Sequence, residues 1–371
     1  MSLRRRILQV GAGAAGVAFA GTVAGTAVRV VHRRRIIARR GAGDALELGS
    51  LHSEPITVIA EDGVPLHVEV DEYTAPEGGH RRAEQNTPER TDGDLTVVFV
   101  HGYALNLDCW HFQRAGYRGL VRTVYYDQRS HGRSGRSSAH NATIEQLAED
   151  LLEVIDQAVP HGRVVLVGHS MGGMSIVALA ESHPELFGDR IVGVALISTT
   201  AGGLSPHRIL LPIMPRGLGG LMTTRLITAL ARGARVIDGV RRLGKDFAIV
   251  ATDRFAFGGD VPGAYVTFVD SMLSGTPFEV LAEFFPGFGA LDKFAVLNAL
   301  EHVPTTIICG TADKLTSVGH SRKMHALLPH SRLVECDGAG HMVIMERHLD
   351  VNAALDDLLA AALDKDRPQT P

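Results

Sequence analysis

The sequence predicts an α/β protein with a mostly parallel central sheet and helices on both faces. Three observations predict it. The runs Leu95–Val100 and Val164–Val167 are solidly apolar and β-branched, as strands covered on both faces are. Helical patterns alternate with such runs along the chain. The second run stops at Gly168-His169-Ser170-Met171-Gly172, a Gly-x-Ser-x-Gly frame in which a strand turns straight into a helix.

Pro55–Ala60 and Pro65–Val70 read as a hairpin around Glu61-Asp62-Gly63, and residues 75–94 are polar enough for a long surface loop. Strands are expected at Leu95–Val100, Thr123–Tyr126, Val164–Val167, Ile191–Ile197, Thr305–Cys309 and Leu333–Cys336, with helices at Ile144–Ala158, Met171–Ser182 and Val351–Leu363. Between Ile197 and Thr305 helical signals continue without strands, so residues 199–299 read as an inserted helical cap. The core is then 51–198 and 300–371. Apolar cap residues such as Phe284, Phe285 and Phe288 mostly build the cap's own core, and the rest line an acyl pocket over Ser170. Arg216, Arg225, Arg232, Arg235, Arg241, Arg242 and Lys245 give the cap a basic face, read as a solvated helix face or as contact with anionic lipid.

Composition sets limits. The chain has 371 residues, 45% hydrophobic and 21% charged, enough for a sizeable core. A net charge of −4 gives no pull toward nucleic acid, and no nucleic-acid motif is present. Cys109, Cys309 and Cys336 form no CxxC pair, so neither a disulfide framework nor a zinc site is expected.

Residues 1–50 read as an anchor-like or signal-like segment with a basic linker. Residues 7–28 are uncharged and span a bilayer at about 1.5 Å per residue. Arg4-Arg5-Arg6 precede them, and Arg29 and Arg33-Arg34-Arg35 follow. The expectation is membrane association through an uncleaved anchor. The alternatives are export through a twin-arginine-like signal, although Leu3 stands where that signal has Ser or Thr, and a buried or disordered helix. Two frames are set aside. Gly11–Gly16 spells GxGxxG without a preceding strand, and Gly239–Lys245 spells GxxxxGK with Asp246 where Ser or Thr is needed.

The Gly-x-Ser-x-Gly frame makes Ser170 the candidate nucleophile. A serine hydroxyl is weak at neutral pH and needs a base within reach, held in turn by a third group. The chain has 18 histidines, so setting must select one. His341 follows Leu333–Cys336 in the glycine-rich loop Asp337-Gly338-Ala339-Gly340, which can carry a side chain over the sheet edge. For the acid, Asp313 lies just past the carboxyl end of Thr305–Cys309, where ligand-facing residues of a parallel sheet collect. Asp337 is the rival; the order Ser170, Asp313, His341 favours Asp313. An oxyanion needs two donors. The expected ones are the backbone N–H groups of Met171 and of Tyr103, which follows Leu95–Val100 in His101-Gly102-Tyr103. His101 reads as a prop of that loop, outside the chemistry.

Taken as a set, His101-Gly102-Tyr103, Asp127-Gln128-Arg129-Ser130-His131-Gly132-Arg133-Ser134, Gly168–Gly172, Gly310–Asp313 and Gly340-His341 resemble a serine hydrolase of the α/β-hydrolase superfamily. The resemblance implies the α/β-hydrolase fold, with Asp127–Ser134 as a bracing loop near the site. It implies no cofactor and no metal. It also implies a nucleophilic mechanism: Ser170 attacks an acyl carbonyl, His341 takes its proton, Asp313 orients His341, and water releases the acyl group. The default activity is esterase-like or lipase-like cleavage of a small-molecule or lipid ester with an apolar acyl group. Acyltransferase, thioesterase, cofactor-free haloperoxidase (perhydrolase), C–C hydrolase and peptidase chemistry stay open, as does a binding module on the same fold. Serine at 170 argues against the superfamily members that use an aspartate nucleophile.

Overall fold

The structure is a computed structural model. It describes residues 33, 36–37, 47–74, 95–204 and 249–364. The segment 7–28 with its Gly11–Gly16 frame, the loop 75–94, and the basic cap face with the Gly239–Lys245 frame lie outside the described residues.

Eight strands form one sheet: β1 (Pro55–Ile59), β2 (Pro65–Asp71), β3 (Leu95–Val100), β4 (Arg122–Tyr126), β5 (Arg163–His169), β6 (Ile191–Ile197), β7 (Thr305–Gly310) and β8 (Arg332–Cys336). Their order is β1-β2-β4-β3-β5-β6-β7-β8. β2 runs antiparallel to β1 and β4, and every other pairing is parallel. This is the α/β-hydrolase fold.

The pleat explains the solid apolar runs. Alternate residues of one strand point to opposite faces. Val98, Val100, Leu166 and Leu196 enter one core cluster, and Val97, Phe99, Val165, Val167 and Ile197 enter the other. Helix α2 (Ile144–Ala158) covers the first face with Leu147, Leu151 and Val154, and Thr143 caps it by accepting the Gln146 amide. Helix α3 (Met171–Ser182) lies beside it, buried along most of its length. Helices α1 (His111–Tyr117) and α8 (His348–Asp364) cover the second face, α8 with Val351, Leu355 and Leu358.

Between β6 and β7 most of the described residues are helical: a stretch at 249–256, α4 (Gly263–Gly275), α5 (Phe278–Ala290) and a 3-10 stretch Phe294–His302. An isolated bridge of Gly202 with Asp292 joins the two ends of this stretch, and Arg136 forms an ion pair with Glu283 of α5. After β7 come α6 (Val318–Leu327), and after β8 the short α7 (Val343–Glu346). Helices α1, α6 and α7 are additions to the sequence reading.

The expected membrane anchor is corrected. Among the described residues no helix is long and apolar enough to cross a membrane. Arg33, read as the basic flank beyond a span, pairs instead with Asp253 at 3.0 Å and Asp260 at 3.1 Å. Ile37 is buried in the same cluster as Phe257, Val261 and Tyr265. A membrane-anchored localisation is not supported, and neither is a lipid substrate on that ground.

Candidate active site

The site is built at the carboxyl ends of β3, β5, β7 and β8. At the end of β5 the chain must reverse into α3 within one residue. Ser170 does this at φ 53 and ψ −117, a conformation that L side chains rarely adopt. The turn is held by Ser170 N–H donating to Ile197 O at 2.9 Å and by Thr199 Oγ1–H donating to Ser170 O at 2.6 Å. Small neighbours are obligatory: a Cβ on Gly172 would lie 2.1 Å from Val100 O, and one on Gly168 would lie 2.6 Å from Gly173 N.

His341 sits in the loop after β8. Its Nε2 lies 3.0 Å from Ser170 Oγ and its Nδ1 lies 2.9 Å from Asp313 Oδ2. A carboxylate only accepts, so Nδ1 carries the hydrogen and Nε2 is left bare to accept the serine hydroxyl. Asp313 follows β7 and is itself held: Oδ1 accepts the amides of Leu315 at 2.8 Å and Thr316 at 3.0 Å, and Oδ2 accepts Thr316 Oγ1–H at 2.9 Å. Burial opposes the Asp313 charge. The His341 ring and these donors outweigh it and hold the carboxyl below the usual carboxylate range. The rival Asp337 is exposed and accepts Thr311 Oγ1–H at 3.1 Å. The structure thus brings Ser170, His341 and Asp313 into one hydrogen-bonded line and leaves Asp337 out of it.

The loop after β3 lies against the nucleophile. A Cβ on Gly102 would stand 3.1 Å from Ser170 Cβ. Tyr103 follows it, and Met171 is the first residue of α3, where a helix leaves its N–H groups free. Among the described residues neither amide is spent on a backbone carbonyl. His101 joins this loop to the one after β4: Nδ1–H donates to Gly102 O at 2.7 Å, and Nε2 accepts the Gln128 amide at 2.9 Å. Gln128 returns a bond from Nε2–H to His101 O at 2.6 Å. Burial pushes His101 down to about 3, so it stays neutral and braces the loop. Within Asp127–Ser134, Asp127 Oδ1 accepts the Leu107 amide at 2.7 Å, and Arg129 forms ion pairs with Asp150 and Asp62.

The tyrosine side chain meets the insertion. Tyr103 O–H donates to Leu281 O at 2.5 Å, and its ring stands edge-on to Phe288 with centroids 4.9 Å apart. Sequence reasoning missed several supports. Thr316 stands three residues after Asp313, a spacing typical of aspartate turns. Thr199 acts through a contact 29 residues away and left no local signal, whereas Gln128 falls within the Asp127–Ser134 loop already read as a brace.

A model of the alpha/beta hydrolase family matches residues 97–354, and the chain belongs to that family. It is 27% identical over 265 residues to an uncharacterized protein of Mycobacterium tuberculosis, covering 66% of this chain and 69% of the relative. Its fold is similar to that of the enol-lactonase from Burkholderia xenovorans LB400, with TM-score 0.61, 24% identity, and coverage of 82% of this chain and 100% of that one. It is similarly close to a thermophilic esterase from Thermogutta terrifontis, with TM-score 0.62, 21% identity, and coverage of 84% and 99%. At these identities the likeness to solved structures speaks for the fold.

Proposed function

We propose that this hydrolase cleaves carboxylic esters of apolar acyl groups through an acyl-enzyme on Ser170. The observation that carries the reading is the line Ser170 Oγ, His341, Asp313, with contacts of 3.0 Å and 2.9 Å. His341 Nε2 takes the hydroxyl proton as Ser170 Oγ attacks the acyl carbonyl. Asp313 fixes the ring and offsets the charge it gains. The Met171 and Tyr103 amides hold the oxyanion. As the tetrahedral intermediate collapses, the imidazolium passes the proton to the leaving alkoxide and the acyl group stays on Ser170. Water, deprotonated by the same imidazole, then attacks the ester carbon and frees the acid and the serine.

An apolar acyl group is favoured because the insertion closes on the loops at the site through aromatic side chains, with buried Phe288 edge-on to Tyr103 and buried Phe284 edge-on to His131. The ester and lactone chemistry named for the two structural neighbours agrees with this reading.

The test is turnover of a p-nitrophenyl ester chain-length series by wild type and Ser170→Ala, with products identified. The expectation is acid and p-nitrophenol from wild type only, fastest with an apolar acyl chain. Transfer of the acyl group to an added alcohol or peroxide in preference to water would move the assignment to an acyltransferase or perhydrolase. Equal turnover by Ser170→Ala would reject the mechanism.

A further inference from the structure

We infer that Glu346 is a positioning residue for His341: its carboxylate clamps the loop carrying the base against the insertion between β6 and β7. The inference rests on the proposed role of His341.

The base loop runs between two backbones with no room for side chains. On one side, a Cβ on Gly310 at the end of β7 would lie 2.2 Å from Ala339 O and 2.4 Å from Gly340 O. On the other, a Cβ on Gly258 would lie 2.1 Å from Gly338 O, and one on Gly340 would lie 2.3 Å from Gly258 N. Such contact buries the Gly340 amide and half-buries that of Gly258, and a buried amide needs an acceptor. Glu346, at the end of α7, supplies it. Oε1 accepts the Gly340 amide at 2.7 Å, and Oε2 accepts the Gly258 amide at 3.1 Å. The Gly259 amide is a further donor to the same carboxylate.

Gly340 is the residue before His341, and the residue after it is tied to the same segment: Met342 N–H donates to Ala256 O at 2.8 Å. The acid is tied there too. Lys314, next to Asp313, donates from Nζ to Arg254 O at 2.6 Å. Residues 254–258 of the insertion therefore form a wall shared by the acid and base loops. Glu346 is the side chain that joins that wall to the base loop.

A carboxylate suits this place because it has acceptors only. Burial works against its charge and raises the carboxyl above its ordinary range, the Gly340 and Gly258 amides pulling the other way. A glutamine offers one oxygen and an NH2 that would face a backbone N–H. One amide then loses its acceptor, and the loop shifts to relieve it. Displacement of a reacting group by about 1 Å costs up to about a hundredfold in rate.

The experiment measures covalent labelling by a fluorophosphonate probe, as rate constant and as final stoichiometry, together with ester kcat and KM, for wild type, Glu346→Gln and Glu346→Asp. Stoichiometry counts folded sites; the rate constant reports how well His341 activates Ser170. The expected result for Glu346→Gln is full stoichiometry, a labelling rate down about tenfold, and a matching fall in kcat with KM within about twofold. A rate equal to wild type, or a loss confined to stoichiometry, overturns the inference. Should Glu346→Gln fold poorly, Glu346→Asp decides: retention of the carboxylate is expected to give the faster labelling per folded site, and the reverse order overturns the inference. Failure of the serine reading looks different, because wild type itself would then go unlabelled at Ser170.

Discussion

His169 Nε2–H donates to the backbone carbonyl of His341 at 3.0 Å. The residue before the candidate nucleophile thus grips the main chain of the candidate base, and the two imidazole centroids lie 4.9 Å apart. Burial, then the neighbouring His341, pushes His169 down to about 3. It therefore stays neutral, with one hydrogen committed to that carbonyl.

Removing that hydrogen is expected to slow the reaction without unfolding the site. Trp110 stands edge-on to the His169 ring at 6.3 Å, so an aromatic replacement fills the space. His169→Phe is expected to lower kcat/KM by about 10- to 100-fold, and His169→Gln, which keeps an N–H donor, by less. Steady-state ester kinetics check the order; equal rates for both variants and wild type would remove His169 from the account.

Asp313 and Asp337 make opposite predictions. Asp313→Asn keeps the shape but offers an NH2 or a weaker acceptor to His341 Nδ1, so the wrong tautomer becomes available. The expected fall in kcat is about 10³- to 10⁴-fold. Asp337, exposed and bonded to Thr311, is expected to tolerate Asn with kcat within about twofold of wild type. Parallel turnover measurements on the two variants decide which carboxylate serves the base.

The elbow stores strain that a stability measurement can read. With φ at 53 and ψ at −117, Ser170 sits where only glycine is at ease. Ser170→Gly is expected to be more stable than Ser170→Ala by about 1 kcal/mol, measured by urea unfolding, although both lack the nucleophile. An alanine variant as stable as the glycine variant would argue that the turn is relaxed.

Acid should destabilise the fold through its buried, neutral histidines. Burial pushes His101 and His169 down to about 3 and His131 to about 4, from the ordinary 6.5. Below pH 6.5 the unfolded chain takes up these protons while the native state does not, so stability falls with pH. Asp127 works in the other direction. Burial raises its carboxyl from 3.8 to about 6 against the Arg133 and Leu107 amides, so below that the native state takes a proton first and offsets one of the three. Each uncompensated proton gives about 1.4 kcal/mol per pH unit. Near pH 5 these groups together give a slope of about 3 kcal/mol per pH unit. Denaturant melts at pH 7 and pH 5 test this, and equal stabilities would contradict it.

How much of this was legible follows from where the signals lie. Strands β3, β5 and β6 are covered on both faces, so the stretches Val97–Val100, Val164–Val167 and Val194–Ile197 are unbroken apolar runs and stand out. The elbow is local, since its glycines and serine fall within five consecutive positions. Helix α1 was hidden because it buries His111, Gln113 and Arg114, polar residues that erase an apolar stripe. Helix α6 buries only Ser321 and Met324, too few to show a period. The supports of the site were hidden for another reason. His169 with His341 O, Gln128 with His101 O, and Glu346 with Gly258 N are each far apart in the chain, and such pairings exist only once the sheet has brought the loops together.

The most direct measurement is peptide mapping of the protein after reaction with a fluorophosphonate probe. One adduct is expected, on the peptide bearing Ser170, lost in Ser170→Ala and formed far more slowly in His341→Ala. An adduct on another residue, or labelling of Ser170 at the wild-type rate without His341, would contradict the claim that the imidazole activates this hydroxyl.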